Sequence, residues 1–109
     1  MRDYEIVLVV SPAGGDDGFT ATVERVSQFI KDQGGEITKV DPWGIRKLAY
    51  PIKRHMEAFY AVTDFKLEPT AVSALEDEVG RAEDILRHIV ARQDEVREEA
   101  QEENGDVGT

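Results

Sequence analysis

Asp41-Pro42-Trp43-Gly44-Ile45-Arg46-Lys47-Leu48-Ala49-Tyr50-Pro51-Ile52-Lys53-Arg54 decides how this chain folds and what its surface is for. Ile45 to Tyr50 reads as a strand, with Ile45, Lys47 and Ala49 pointing one way and Arg46, Leu48 and Tyr50 the other. Proline has no N–H to give to a ladder, so Pro42 and Pro51 push this strand to the edge of its sheet. The segment holds the only tryptophan and four cations, Arg46, Lys47, Lys53 and Arg54, with no acid between Asp41 and Glu57. An edge leaves one row of backbone groups unpaired. Here that row is flanked by an indole and positive charge, which suits docking of another chain and holding of a polyanion.

The neighbouring elements follow from periodicity. Tyr4 to Val10 alternates Tyr4, Ile6, Leu8 and Val10 against Glu5, Val7 and Val9; apolar residues on both faces mark a central strand. Ser11 to Gly18 reads as a loop, and a helix is expected from about Phe19 to Gln33, with Phe19, Val23, Val26 and Ile30 on one side. Gly34-Gly35 ends it. Glu36 to Asp41 starts the second strand, which resumes at Ile45 after a bulge or bend at Pro42-Trp43-Gly44. Lys53 to Glu57 turns the chain into a third strand, Ala58–Leu67. Pro69 opens a second helix to about Gly80 with Val72, Leu75 and Val79 buried, and Ile85 to Arg92 is the fourth strand.

The order β-α-β-β-α-β is the split βαβ, or ferredoxin-like, α+β arrangement. Right-handed crossovers place both helices on one face of a four-stranded antiparallel sheet of order 4-1-3-2. The second strand then falls at an edge, where its prolines had already put it.

Charge divides the chain. Residues 1–92 carry 12 Lys/Arg against 16 Asp/Glu, whereas residues 93–109 carry 1 against 7, within a total of −10. One domain over 1–92 and an acidic, disordered tail over 93–109 are expected. The absence of cysteine excludes disulfides, thiolate catalysis and cysteine-ligated zinc. No secretory signal or membrane span is read, and the expectation is a cytoplasmic protein.

Three segments carry a family resemblance. Trp43-Gly44-Ile45-Arg46-Lys47-Leu48-Ala49-Tyr50-Pro51-Ile52, the opening Met1-Arg2-Asp3-Tyr4-Glu5-Ile6-Val7, and Asp84-Ile85-Leu86-Arg87-His88-Ile89-Val90-Ala91-Arg92 are similar, in order, to signatures of bacterial small-subunit ribosomal protein S six. The resemblance implies a structural component of the small ribosomal subunit. It implies binding to the central domain of small-subunit ribosomal RNA and a heterodimer with the eighteenth small-subunit protein. By the same resemblance, partner contact falls on Trp43, Ile45, Arg46, Lys47 and Leu48, and RNA contact on Arg2, Tyr4, Lys53, Arg54, Arg87 and Arg92. Pro42-Trp43 departs from the acidic or polar residues expected before the glycine.

From the residues alone, the four cations suit a guarded edge as well as phosphate contact. Tyr4 suits core packing as well as RNA. The loop Pro12–Gly18 has no lysine and two acids, so it is a turn and cap rather than a phosphate cradle. It also lacks the arginine an acylphosphatase-like hydrolase on this fold requires; a small-ligand regulatory module is the other alternative. His55 and Glu57 lack converging partners for a metal, and no catalytic constellation is found. Neither a cofactor nor a small-molecule substrate is expected. His55-Met56-Glu57-Ala58-Phe59-Tyr60-Ala61-Val62 lacks the basic-Gly-aromatic run with which RNA recognition motifs stack bases, so recognition by shape and phosphate is favoured.

Overall fold

β1 (Arg2–Val10) lies in the middle of the sheet because it has apolar side chains for both faces. The computed structural model describes residues 1–93; the expected acidic tail lies outside the described residues, apart from Gln93. A 3₁₀ turn at Pro12–Gly14 leads into α1 (Gly15–Asp32), followed by β2 (Glu36–Ile52), β3 (His55–Leu67), a second 3₁₀ turn at Pro69–Ala71, α2 (Val72–Arg81) and β4 (Ile85–Arg92). The sheet order is β2-β3-β1-β4, all neighbours antiparallel, which is the ferredoxin-like topology.

Tyr4, Ile6, Leu8 and Val10 face the helices beside Phe59, Ala61, Phe65 and Leu67 of β3. Against them α1 lays Phe19, Val23, Val26 and Ile30, and α2 lays Leu75 and Val79. Phe19 and Phe59 stack with ring centroids 4.7 Å apart, tying α1 to β3.

α1 starts at Gly15, four residues before the expected Phe19, so much of the expected loop is helix. The polar stretch misled because its function is to cap. The Ala13 N–H donates to Ser11 Oγ at 3.2 Å, Pro12 takes the first position of the 3₁₀ turn, and Asp16 and Asp17 sit in the first turn of α1, at its positive end. At the other end the Gly34 N–H donates to the Lys31 carbonyl and the Gly35 N–H to that of Ile30, both at 2.9 Å. Gly34 sits at φ 86°, so this is a Schellman close. Gly35 is held to glycine by space: a Cβ would stand 2.6 Å from the Lys66 carbonyl oxygen and 2.8 Å from Ile30 Cγ2.

β2 is an edge strand, as its prolines require, and among the described residues it pairs with β3 alone. Its register breaks three times, at Thr38, at Trp43, and across Leu48–Pro51. Each break leaves extra residues on β2 and increases the local twist. The turn into β3 is shorter than expected: Ile52 pairs with His55, and only Lys53 and Arg54 lie between them. Because β2 and β3 outrun β1, whose last residue pairs with Phe59, the hairpin projects past the body of the sheet as a two-stranded arm.

Candidate nucleic-acid and partner interface

The arm ends in two cations held in an unusual backbone shape. Lys53 has φ 49° and Arg54 φ 72°, the left-handed geometry that a two-residue turn needs to match strand twist. Asn-Gly normally supplies this shape. Each of these residues, because it carries a Cβ, gives up about 1 kcal/mol relative to glycine, which sets two charges side by side at the tip.

Behind the tip, β2 presents an apolar edge. Among the described residues, four of the seven exposed large hydrophobic side chains lie on this one strand: Val40, Trp43, Ile45 and Tyr50. Arg46 and Lys47 are exposed beside them and Leu48 is half-buried. Thus all five residues expected to contact a partner lie together on the unpaired edge or next to it.

Trp43 is the extra residue of the central bulge, and the bulge swings it onto the sheet face that carries no helix. There its indole N–H donates to Asp41 Oδ2 at 3.1 Å and its ring stacks on Tyr60, 6.4 Å between centroids and 11° from parallel. The Arg46 guanidinium lies 6.0 Å from the indole centroid, within cation–π range. Nearly half of the Trp43 surface still meets solvent (48%). The sequence of β3 lacks a base-stacking pattern, yet the face does carry an aromatic pair, assembled from two strands.

The register lays this face out in rows. Lys39, Asp64, Glu5 and Ala91 form one; Asp41, Val62, Val7 and Ile89 the next; Gly44, Tyr60, Val9 and Arg87 the third. The three acids Glu5, Asp41 and Asp64 lie in the first two rows, with Lys39 beside them, and Arg87 lies at the end toward the arm. The Glu5 carboxyl is pushed above its ordinary value, first by burial and then by the charge of Asp64. At the cationic end Arg87 Nη1 donates to Tyr50 Oη at 3.1 Å, linking the two outermost strands. Val9 and Ala58 are buried beneath this end although no helix lies over them.

The residues expected to contact RNA fall into separate groups. Lys53 and Arg54 form the tip and Arg87 faces the arm. Arg2 and Arg92 sit toward the opposite end of the sheet, roughly 24 Å and roughly 17 Å from the Arg87 row at ~3.4 Å per residue. Tyr4 requires correction. It is 6% exposed, its ring stacks on Phe65 at 5.7 Å, and it belongs to the core instead of an RNA surface. His55 sits at the start of β3, with its Nε2 3.5 Å from Ser11 Oγ just past the end of β1. Tyr50 and Tyr60 were missed, since their roles arise from cross-strand neighbours that only the register reveals.

The family model described as ribosomal protein S6 matches residues 3–92. The chain belongs to the ribosomal protein S6 family. The small ribosomal subunit protein bS6 of Moorella thermoacetica is 37% identical over 95 residues, covering 87% of this chain and 97% of that protein. That of Heliobacterium modesticaldum is 39% identical, covering 87% and 99%. The crystal structure of 30S ribosomal protein S6 from Thermotoga maritima matches with a TM-score of 0.82 at 28% identity, over 94% of this chain and 97% of that one. Ribosomal protein S6 is a structural protein of the small ribosomal subunit and not an enzyme, so the hydrolase alternative falls. Its place is in the cytoplasm, within the ribosome and alongside small-subunit ribosomal RNA.

Proposed function

We propose that this ribosomal protein S6 enters the small subunit as one half of a heterodimer with the eighteenth small-subunit protein, and that the pair binds the central domain of the ribosomal RNA. The observation that carries the reading is the β2 edge, where an unpaired strand, four exposed apolar side chains and a cationic arm meet. Trp43, Ile45, Arg46, Lys47 and Leu48 form the partner surface. Lys53, Arg54 and Arg87 meet phosphate at the arm, and Arg2 and Arg92 do so at the far end.

Charge explains why a partner is needed. At a net charge of −10 the protein as a whole repels a polyanion at long range. Its cations act on phosphate only within about a Debye length, ~8 Å at physiological salt. A basic partner supplies the missing attraction, and the edge strand fixes its orientation. RNA affinity is therefore cooperative with partner binding. Filter-binding titrations of a central-domain RNA fragment are expected to give at least roughly tenfold tighter binding with the partner present. Equal affinity with and without it refutes the reading.

A further inference from the structure

We propose that the acidic half of the helix-free sheet face is a second docking surface, where an extended basic segment of the heterodimer partner sets an arginine or lysine side chain between Glu5, Asp41 and Asp64. The inference rests on the heterodimer reading and extends the interface from the β2 edge onto the face.

A hollow of about 300 Å³ lies here, bounded by those three carboxylates with Val7, Val62 and Trp43 as its apolar walls. Its shape and chemistry match one long cationic side chain. The aliphatic stem packs on the valines, the charged head meets carboxylates, and the indole offers its π face. Lys39 also lines the hollow, but among the described residues it forms no ion pair, so three carboxylates face one ammonium. Asp64 supplies an independent sign of a missing partner. Its Oδ1 is buried without a hydrogen bond among the described residues, a cost of roughly 1–3 kcal/mol that a donor in the hollow relieves once the carboxylate, which lines that hollow, turns toward it. A forked guanidinium delivers several donors at once.

The surroundings select the occupant. Carboxylates repel phosphate, so RNA is excluded from this half of the face and kept to the cationic end. Among the described residues no group of three His, Asp or Glu side chains converges closely enough for a metal ion. The row Val62, Val7 and Ile89, the last 50% exposed, continues as an apolar track along which an extended segment can lie. Trp43 belongs to both the hollow and the β2 edge, which makes the two surfaces continuous.

The lone tryptophan is also the reporter. Its fluorescence is followed while the full chain is titrated with the eighteenth small-subunit protein, and separately with an acetylated tetra-arginine amide. Glu5→Gln with Asp64→Asn is expected to weaken partner binding about tenfold and to remove the peptide signal. In the unsubstituted protein, carbon-detected NMR is expected to show the Glu5 carboxyl titrating at lower pH once the peptide is bound, a readout that needs no variant to fold. Equal partner affinity for both proteins with an unmoved Glu5 overturns the second surface and leaves the heterodimer standing. If the partner fails to bind even the unsubstituted protein, the heterodimer reading falls. A peptide signal abolished by the two substitutions then keeps the hollow as a site for a different basic protein, while no peptide signal overturns it. A matching response to an oligouridylate overturns it too, because the face then takes RNA.

Discussion

β2 and β4 each leave one row of backbone groups without a neighbouring strand, yet they are built for opposite ends. β4 is eight residues long, and its foot is fastened. The Asp84 carboxylate accepts from the Thr22 hydroxyl and from Arg25 Nη2 at 2.8 Å, binding the strand to α1, and the Asp84 carbonyl accepts from the Ser11 N–H at 2.8 Å. β2 is seventeen residues long, breaks register three times, and carries four of the exposed large apolar side chains. Bulges and prolines prevent indiscriminate pairing while the apolar groups stay accessible. Both edges are open among the described residues, but β4 is short and anchored at its start, whereas β2 is long, bulged and rich in exposed apolar groups.

The sharpest break in this contrast comes from reversing charge on the open edge. Arg46→Glu with Lys47→Glu is expected to weaken heterodimer formation by at least roughly a hundredfold with little change in melting temperature. Arg87→Glu on the other edge leaves that affinity nearly intact. Isothermal titration against the partner measures both. Comparable losses from the two edges would erase the distinction.

The next effect is structural. Gly35→Ala drives a methyl group into the Lys66 carbonyl at the root of β2 and is expected to cost about 1–3 kcal/mol in urea unfolding. Unchanged stability would show that β2 is not pinned there. At the tip, Lys53→Asn with Arg54→Gly relieves the left-handed strain and is expected to raise stability by about 1–2 kcal/mol. The same change weakens RNA binding and lowers the steepness of its salt dependence by about one to two units. A tip that serves only as a turn would gain stability and keep its RNA affinity.

The smallest effect separates two carboxyls by the sign of their pH dependence. Hydrogen bonds from Thr22 and Arg25, with the Arg25 charge, outweigh burial and hold Asp84 below its ordinary 3.8. Its stabilisation is complete above that value and is lost as pH falls through the lower folded value. Asp84→Asn is therefore expected to cost about 0.5–1 kcal/mol at neutral pH and nothing in strong acid. Glu5 is displaced upward from 4.5, so its ionised form is a penalty at neutral pH, relieved as pH falls through the folded value and gone below 4.5. Glu5→Gln thus stabilises at pH 7 and is silent in acid. Melting temperatures across pH test both, and slopes of the same sign would contradict the assigned causes.

Much of the contrast was legible in the residues themselves. Alternation located β1 and the second half of β2, Pro42 and Pro51 placed β2 at an edge, and Pro42-Trp43-Gly44 marked the central bulge. What escaped depends on pairing between distant segments. Nothing local says that Trp43 meets Tyr60, that Tyr50 reaches Arg87, or that Glu5 lies beside Asp64. Lys53-Arg54 escaped for a different reason, since neither residue advertises a left-handed turn. The family resemblance alone assigns Tyr4 to RNA, although alternation already sets it on one strand face with Ile6, Leu8 and Val10, the face that the helices cover.

The central place of β1 has a consequence for synthesis on the ribosome. The first strand made cannot complete its pairing until the last, Ile85–Arg92, has emerged, whereas β2 and β3 meet across only two intervening residues. The hairpin is thus free to close early, because short loops lose little entropy on closure and distant pairings must wait. The β2–β3 hairpin is able to form before the core around β1 is shut.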